Sequence, residues 1–202
     1  MPLVPEHIAE VVSTSTTEYV AECLPPKDLC FPQVPALGSW VKTISFSDDQ
    51  TTVYGVVAFS TTTAIDNVHR AMALGLSLEE LRAQQPQIFG MFRSELRVAL
   101  LGYQVGSQIY QHLPPHPPQI HQAVYLCSRD EVIQFTEELH FWRSLLSLTG
   151  VPVDELLSAI LRQVYQLRAC DRHWLVQSAK QLGMLFKEDY DRLRAVLAQV
   201  HP

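Results

Sequence analysis

At 202 residues and 22.9 kDa, with 47% hydrophobic and 18% charged residues, the chain suits one globular domain with or without an appendage, and not a disordered tail. A formal net charge of −6 argues against a protein whose main work is neutralising nucleic-acid phosphates, so no direct nucleic-acid partner is expected. No uncharged apolar run approaches the roughly 20 residues that cross a bilayer as a helix, so no membrane insertion is expected either.

The start, Met1-Pro2-Leu3-Val4-Pro5-Glu6, has neither the basic opening nor the apolar core of a signal peptide. Cys23, Cys30, Cys127 and Cys170 form no CxxC pair and read as scattered small apolar residues of a reducing compartment. Both features point to the cytoplasm. Short segments rich in β-branched and aromatic residues then follow one another: His7 to Ser13, Glu18 to Cys23, Ser39 to Ser45, Val53 to Ser60, Arg97 to Gly102 and Gln122 to Cys127. Ser47-Asp48-Asp49-Gln50 is a polar, Asx-type turn that makes Trp40 to Phe59 a hairpin. Pro25-Pro26 and Pro32 to Pro35 cannot sit in a central strand and leave 24 to 37 as a loop.

A helical insertion near 77–93 separates the fourth strand from the fifth. Ser77 and Glu80 have the spacing of a capping box, Leu78, Leu81, Ile88, Phe89 and Phe92 supply an apolar face, and Pro86 breaks or kinks the helix. After the last strand the pattern changes. Up to Ser128 there are six Lys/Arg against eleven Asp/Glu; from Arg129 onward there are nine against ten, and the apolar spacing becomes helical. A second capping box, Ser128 to Glu131, opens a helix whose face carries Val132, Phe135, Leu139, Trp142, Leu145 and Leu146. Gly150 and Pro152 stop it. Helices over Asp154 to Ala169, Arg172 to Phe186 and Glu188 to Val200 complete the segment. The predicted class is α+β: a small β-barrel over 1–128 with its helical insertion, then a helical domain over 129–202.

The strand-rich half resembles the HAS-barrel, the small barrel shared by HerA-type DNA-translocating ATPases and the N-terminal crowns of rotary ATP synthase subunits. The residues that carry the resemblance are Ile8 to Tyr19, Gly38-Ser39-Trp40-Val41, Val53 to Val57, Val98 to Tyr103, the Pro-rich connection, and Ala123 to Leu126. It covers roughly residues 5 to 127. In those ATPases a P-loop domain follows the barrel. No GxxxxGK[ST] occurs in this chain, so the family's ATP hydrolysis maps onto no residue of it. The resemblance implies a free-standing barrel that serves as a rigid platform for neighbouring subunits or partner proteins.

Four groups of residues compete as sites. His112, His116 and His121 place three imidazoles within ten residues, enough nitrogen ligands for Zn²⁺, although the prolines between them also read as a stiff solvated loop. The hydroxyl run Ser13 to Thr17 with His7 has the residue types of a nucleophile and base, but lacks an orienting third group and reads as an ST-turn. Ala179 to Gly183 followed by Tyr190 and Leu193 has helix-turn-helix spacing. The acidic Glu188, Asp189 and Asp191 would face phosphates there, which favours a structural helix pair. Trp142 and Trp174 read as core, whereas Phe141, Trp142 and Tyr165, if exposed together, would mark a partner-binding patch.

The function these features favour is a non-catalytic protein-interaction or assembly module with no cofactor and an unidentified protein partner, a ring ATPase being one candidate. An accessory subunit of a HerA-type or rotary ring ATPase is the alternative. A metal-dependent enzyme using the 112–121 histidines is the second.

Overall fold

The computed structural model describes residues 7–25, 29–45, 51–65, 72–187 and 189–200. The polar turn at 47–50, residues 1–6, Pro26 and Glu188 lie outside these residues. Seven strands form one sheet in the order β2 (Glu18–Cys23), β1 (His7–Thr14), β7 (Ala123–Leu126), β3 (Trp40–Ile44), β4 (Thr52–Ala64), β5 (Phe92–Val105), β6 (Gln108–Tyr110). All pairings are antiparallel, and β5 pairs back onto β2 from Glu18↔Ala99 to Glu22↔Glu95. That return pairing closes six strands into a barrel and leaves β6 as a hairpin arm on β5. With the helices, the architecture is α+β.

Alternation along the strands gives the barrel two apolar faces. Val41, Val53, Val57, Leu96, Val98 and Leu100 point inward with Ala9, Val11, Ala21 and Val124, a set of mostly small side chains that fits a narrow interior. Their neighbours Trp40, Tyr54, Val56, Ala58, Ala99 and Leu101 point outward from β3, β4 and β5 and are equally buried. A sheet face of that composition must be covered. The helices cover it.

These are α2 (Arg129–Phe135), α3 (Trp142–Leu146), α4 (Val153–Leu167), α5 (Arg172–Leu185) and α6 (Tyr190–Ala198). Trp40 meets Phe135 at 5.3 Å and Phe141 at 5.6 Å between ring centroids, and Phe135 also meets Tyr54 at 5.2 Å. Leu156, Leu157, Ile160, Leu161 and Val164 of α4 join the same cluster. At the loop before β3, Gly38 adopts φ +81° and its missing side chain leaves room for α4, since a Cβ there would stand 3.1 Å from that of Ala159. The hydrophobic core thus runs across residue 128 without interruption.

The structure departs from the sequence reading at four places. The helix expected from Ser128 through Leu146 is two helices, because the carbonyls at the end of α2 are taken by donors from elsewhere. Gln111 Nε2 donates to Phe135 O (2.5 Å) and Glu138 O (2.9 Å), and Arg168 Nη2 donates to Ile133 O (2.5 Å). The insertion is a helix, α1 (Leu78–Gln84), and a 3-10 turn (Pro86–Gly90), but α1 buries no residue: Leu78 is exposed, and Phe92 belongs to β5. Strands β4 and β5 outrun their predicted ends and pair as far as Ala64↔Phe92. Strand β6 was not anticipated. Both capping boxes form as expected, Ser77 with Glu80 and Ser128 with Glu131.

One polar contact ties the barrel to α2. Lys42 of β3, with a side chain only 11% exposed, donates to Glu131. Burial alone would raise the Glu131 carboxyl, but hydrogen bonds from Lys42 and Ser128 outweigh it and hold the carboxyl below its ordinary value of 4.5. A folded-state value below the unfolded one adds stability above about pH 4.5 that is lost as pH falls through the lower folded value. Thermal melts should therefore show Glu131→Gln less stable than wild type at neutral pH and approaching it in acid; an offset independent of pH would contradict this. Trp142 is fully buried between Phe141 and the α4 residues. Denaturant unfolding of Trp142→Ala should show a loss of about 3–5 kcal/mol; a loss below about 1 kcal/mol would contradict a core role.

Candidate functional site

The sequence singled out residues on both halves of the chain, and the fold sorts them. Phe141 and Trp142 have no exposed surface and Tyr165 retains 9%, so these three form part of the shared core and present no surface patch. Their burial corrects the expectation of an exposed contact there. Periodicity placed Phe141 off the stripe only because it assumed one continuous helix through Trp142. Trp174 is core as expected, with its indole Nε1 donating to Thr136 O at 2.8 Å and the Arg168 guanidinium 5.5 Å above its ring.

The three histidines do not converge. His112 leans on Tyr103 (5.4 Å) and Tyr110 (5.8 Å) and borders a cavity of about 610 Å³ with His140 and Arg143. His116 lines a different cavity, of about 540 Å³, at the barrel end between Tyr103, Tyr110 and Gln122. His121 is 82% exposed, with Nδ1 at 3.4 Å from Glu10. Among the described residues, no three His, Cys, Asp or Glu side chains stand close enough to hold a metal ion.

The hydroxyl run closes the β1–β2 hairpin. Ser15 Oγ donates to Glu18 O at 2.9 Å and accepts from Glu18 N at 3.3 Å, an ST-type turn. His7 sits at the other end of β1, about 20 Å away along an extended strand, and its ring lies against Tyr125. The Cys23 thiol is pushed up to about 11 by burial, and burial raises that of Cys127 as well, so neither offers a thiolate at neutral pH.

The helix-turn-helix spacing at 179–193 finds a different geometry. Gly183 lies inside α5, and the turn comes later, at Phe186 and Lys187. Lys187 there adopts φ +53°. Helix α6 is held from beneath: Arg192 donates to Asp154 through Nε (2.9 Å) and Nη2 (2.6 Å) and lies 4.5 Å over the Phe186 ring. Acidic Asp189 caps α6 by accepting from Arg192 N at 3.1 Å.

What this helix pair leaves open is a groove of about 960 Å³ between α5 and α6. Val176 is 50%, Met184 67% and Tyr190 65% exposed along it, with Ala179, Gly183 and Leu193 at its base. Lys180 and Lys187 are the charged groups that line it. Val176, Lys180, Gly183 and Met184 follow one helical stripe, i, i+4, i+7, i+8, and Lys187 comes just past the end of the helix. This is the outer face of α5; Trp174, Ser178 and Leu182 face the core. The sequence reading took the stretch for a helix pair and missed the groove, although an apolar stripe on a second face of α5 was the available signal.

Gly183 is the informative position. Glycine inside a helix costs about 1 kcal/mol relative to alanine. Its φ is ordinary, and an added Cβ would meet only Leu193 Cδ2, at 3.4 Å, an ordinary contact. Nothing in the folded chain requires glycine here, and its effect is to keep the floor of the groove open. No protein-family model matches the chain, and no curated protein matches it. Gly183→Ala should raise stability by about 1 kcal/mol, a melting-temperature gain of roughly 2–4 °C at this size. A lower melting temperature would contradict the open floor.

Proposed function

We propose that this chain is a non-catalytic protein-interaction or assembly module, a HAS-like barrel serving as a rigid platform for a helical cap that carries a docking groove. The observation that carries the reading is the α5–α6 groove: exposed Val176, Met184 and Tyr190 over a floor left open by a glycine the fold does not need. Apolar area concentrated in one groove and rimmed by charge is the usual character of a protein-binding surface. Strand order and closure support the HAS-like assignment. The chain has a closed antiparallel barrel, a helical insertion between β4 and β5, and a Pro-rich connection before β7, in the order the resemblance implies. A rigid barrel suits such a role because a partner then meets a preformed surface and no ordering cost is added on binding.

Gly183→Leu sends a bulky side chain into the groove from an exposed helix face. Affinity purification from the native organism, with quantitative mass spectrometry, should recover from wild type at least one chain that falls tenfold or more with Gly183→Leu. The variant should melt within a few degrees of wild type. Recovery of the same chains at the same yield by both proteins would overturn the reading.

A further inference from the structure

The groove has a complement on the same molecule. Helix α1 carries a capping box and seven residues, yet none of them is buried. Leu78 is exposed, as are Met72 and Leu74 in the extended stretch before it. Glu79 also faces solvent, whereas Glu80 is bound by the cap through Ser77 N at 2.7 Å. The helix is nevertheless held in place: Arg82 Nε donates to Leu29 O at 2.9 Å. Exposed Leu78 and Glu79 at the start of an anchored helix, with exposed Met72 and Leu74 in the stretch before it, are therefore matched by an open apolar groove lined by two lysines.

Opposite charge beside an apolar contact disfavours other partners.

We infer that the occupant of the α5–α6 groove is a second copy of this chain, which inserts Met72, Leu74 and Leu78, at and just before the start of α1, with Glu79 directed at the groove lysines. The inference rests on the groove being a docking surface, as proposed above. The contact is heterologous: each molecule offers α1 to one neighbour and its groove to another, so association continues past the dimer into a ring or an open chain. One short helix in one groove buries less than the roughly 1,000 Å² of a stable interface. The association is therefore weak, in the micromolar to millimolar range.

Sedimentation velocity on the full chain at low ionic strength, from about 10 to 500 μM, provides the test. Wild type should pass beyond twice its 22.9 kDa mass as concentration rises. Glu79→Lys and the double variant Lys180→Glu/Lys187→Glu each reverse charge at exposed positions, should keep the wild-type melting temperature, and should each stay monomeric alone. Mixed one to one, the intact α1 of the double variant meets the intact groove of Glu79→Lys, and the reversed α1 of Glu79→Lys meets the reversed groove of the double variant, so both contacts are again opposite in charge. The mixture should associate past the dimer as wild type does. A third protein carrying all three reversals should recover the wild-type series. Wild type that remains monomeric throughout, variants that associate as wild type does, or a mixture that stays monomeric would each overturn self-association. If wild type is monomeric yet Gly183→Leu loses a foreign chain, only this inference falls and the docking groove stands. If Gly183→Leu changes neither association nor recovered chains, both fall.

Discussion

The packing of Trp40 against Phe135 and Phe141 determines where the helices sit. Trp40 lies on β3 with its side chain directed out of the barrel, so the strand alternation that fills the interior with Val41 also creates an apolar outer face. That face, continued by Tyr54, Val56, Ala99 and Leu101, spans β3, β4 and β5 and cannot be left to water. Helices α2 and α3 seat the two phenylalanines on it, α4 lies behind them, and α5 and α6 pack on α4. Each later element is placed by the one before. The groove on the far side of α5 is accordingly held at a fixed position relative to the barrel.

Polar contacts set the register of this packing. Gln111 serves three backbone groups at once, donating to Phe135 O and Glu138 O and accepting from Phe141 N at 3.1 Å, so one side chain ends α2 and starts α3. Arg168, at the end of α4, donates to Ile133 O and Thr136 Oγ1 from the opposite side. Lys42 reaches Glu131 across the junction. Apolar packing alone would allow α2 to slide along the sheet. These buried and half-buried hydrogen bonds favour one register, because shifting α2 would leave the carbonyls of Ile133, Phe135 and Glu138 without their donors at the cost of desolvation.

Local chemistry was legible in the sequence and long-range chemistry was not. Both capping boxes, the strand cores and the ends of α4 follow from side chains within a few residues of one another, and all appear where the residues place them. The division of the first C-terminal helix was hidden because its cause lies in Gln111 and Arg168, each more than twenty residues from the break. The ends of β4 and β5 were missed because Ser60 to Thr63 are polar and largely exposed on both sides, so no apolar alternation marks them. Gly106-Ser107 between Val105 and Gln108 was a readable hairpin signal for β6. Of the candidate sites, the ST-turn at Ser15 follows from local rules, whereas the scatter of the histidines depends on how the Pro-rich loop crosses the barrel end. The groove belongs to the surface left over after α5 has buried its other face, and that surface is known only once the packing is known.

If the outer face of the barrel and the helices are one core, the two halves on either side of residue 128 cannot melt separately. Differential scanning calorimetry of the full chain measures this directly. The account predicts a single transition whose calorimetric and van't Hoff enthalpies agree, at a ratio of about 1. Two resolved transitions, with the helices melting away from a barrel that stays folded, would contradict it.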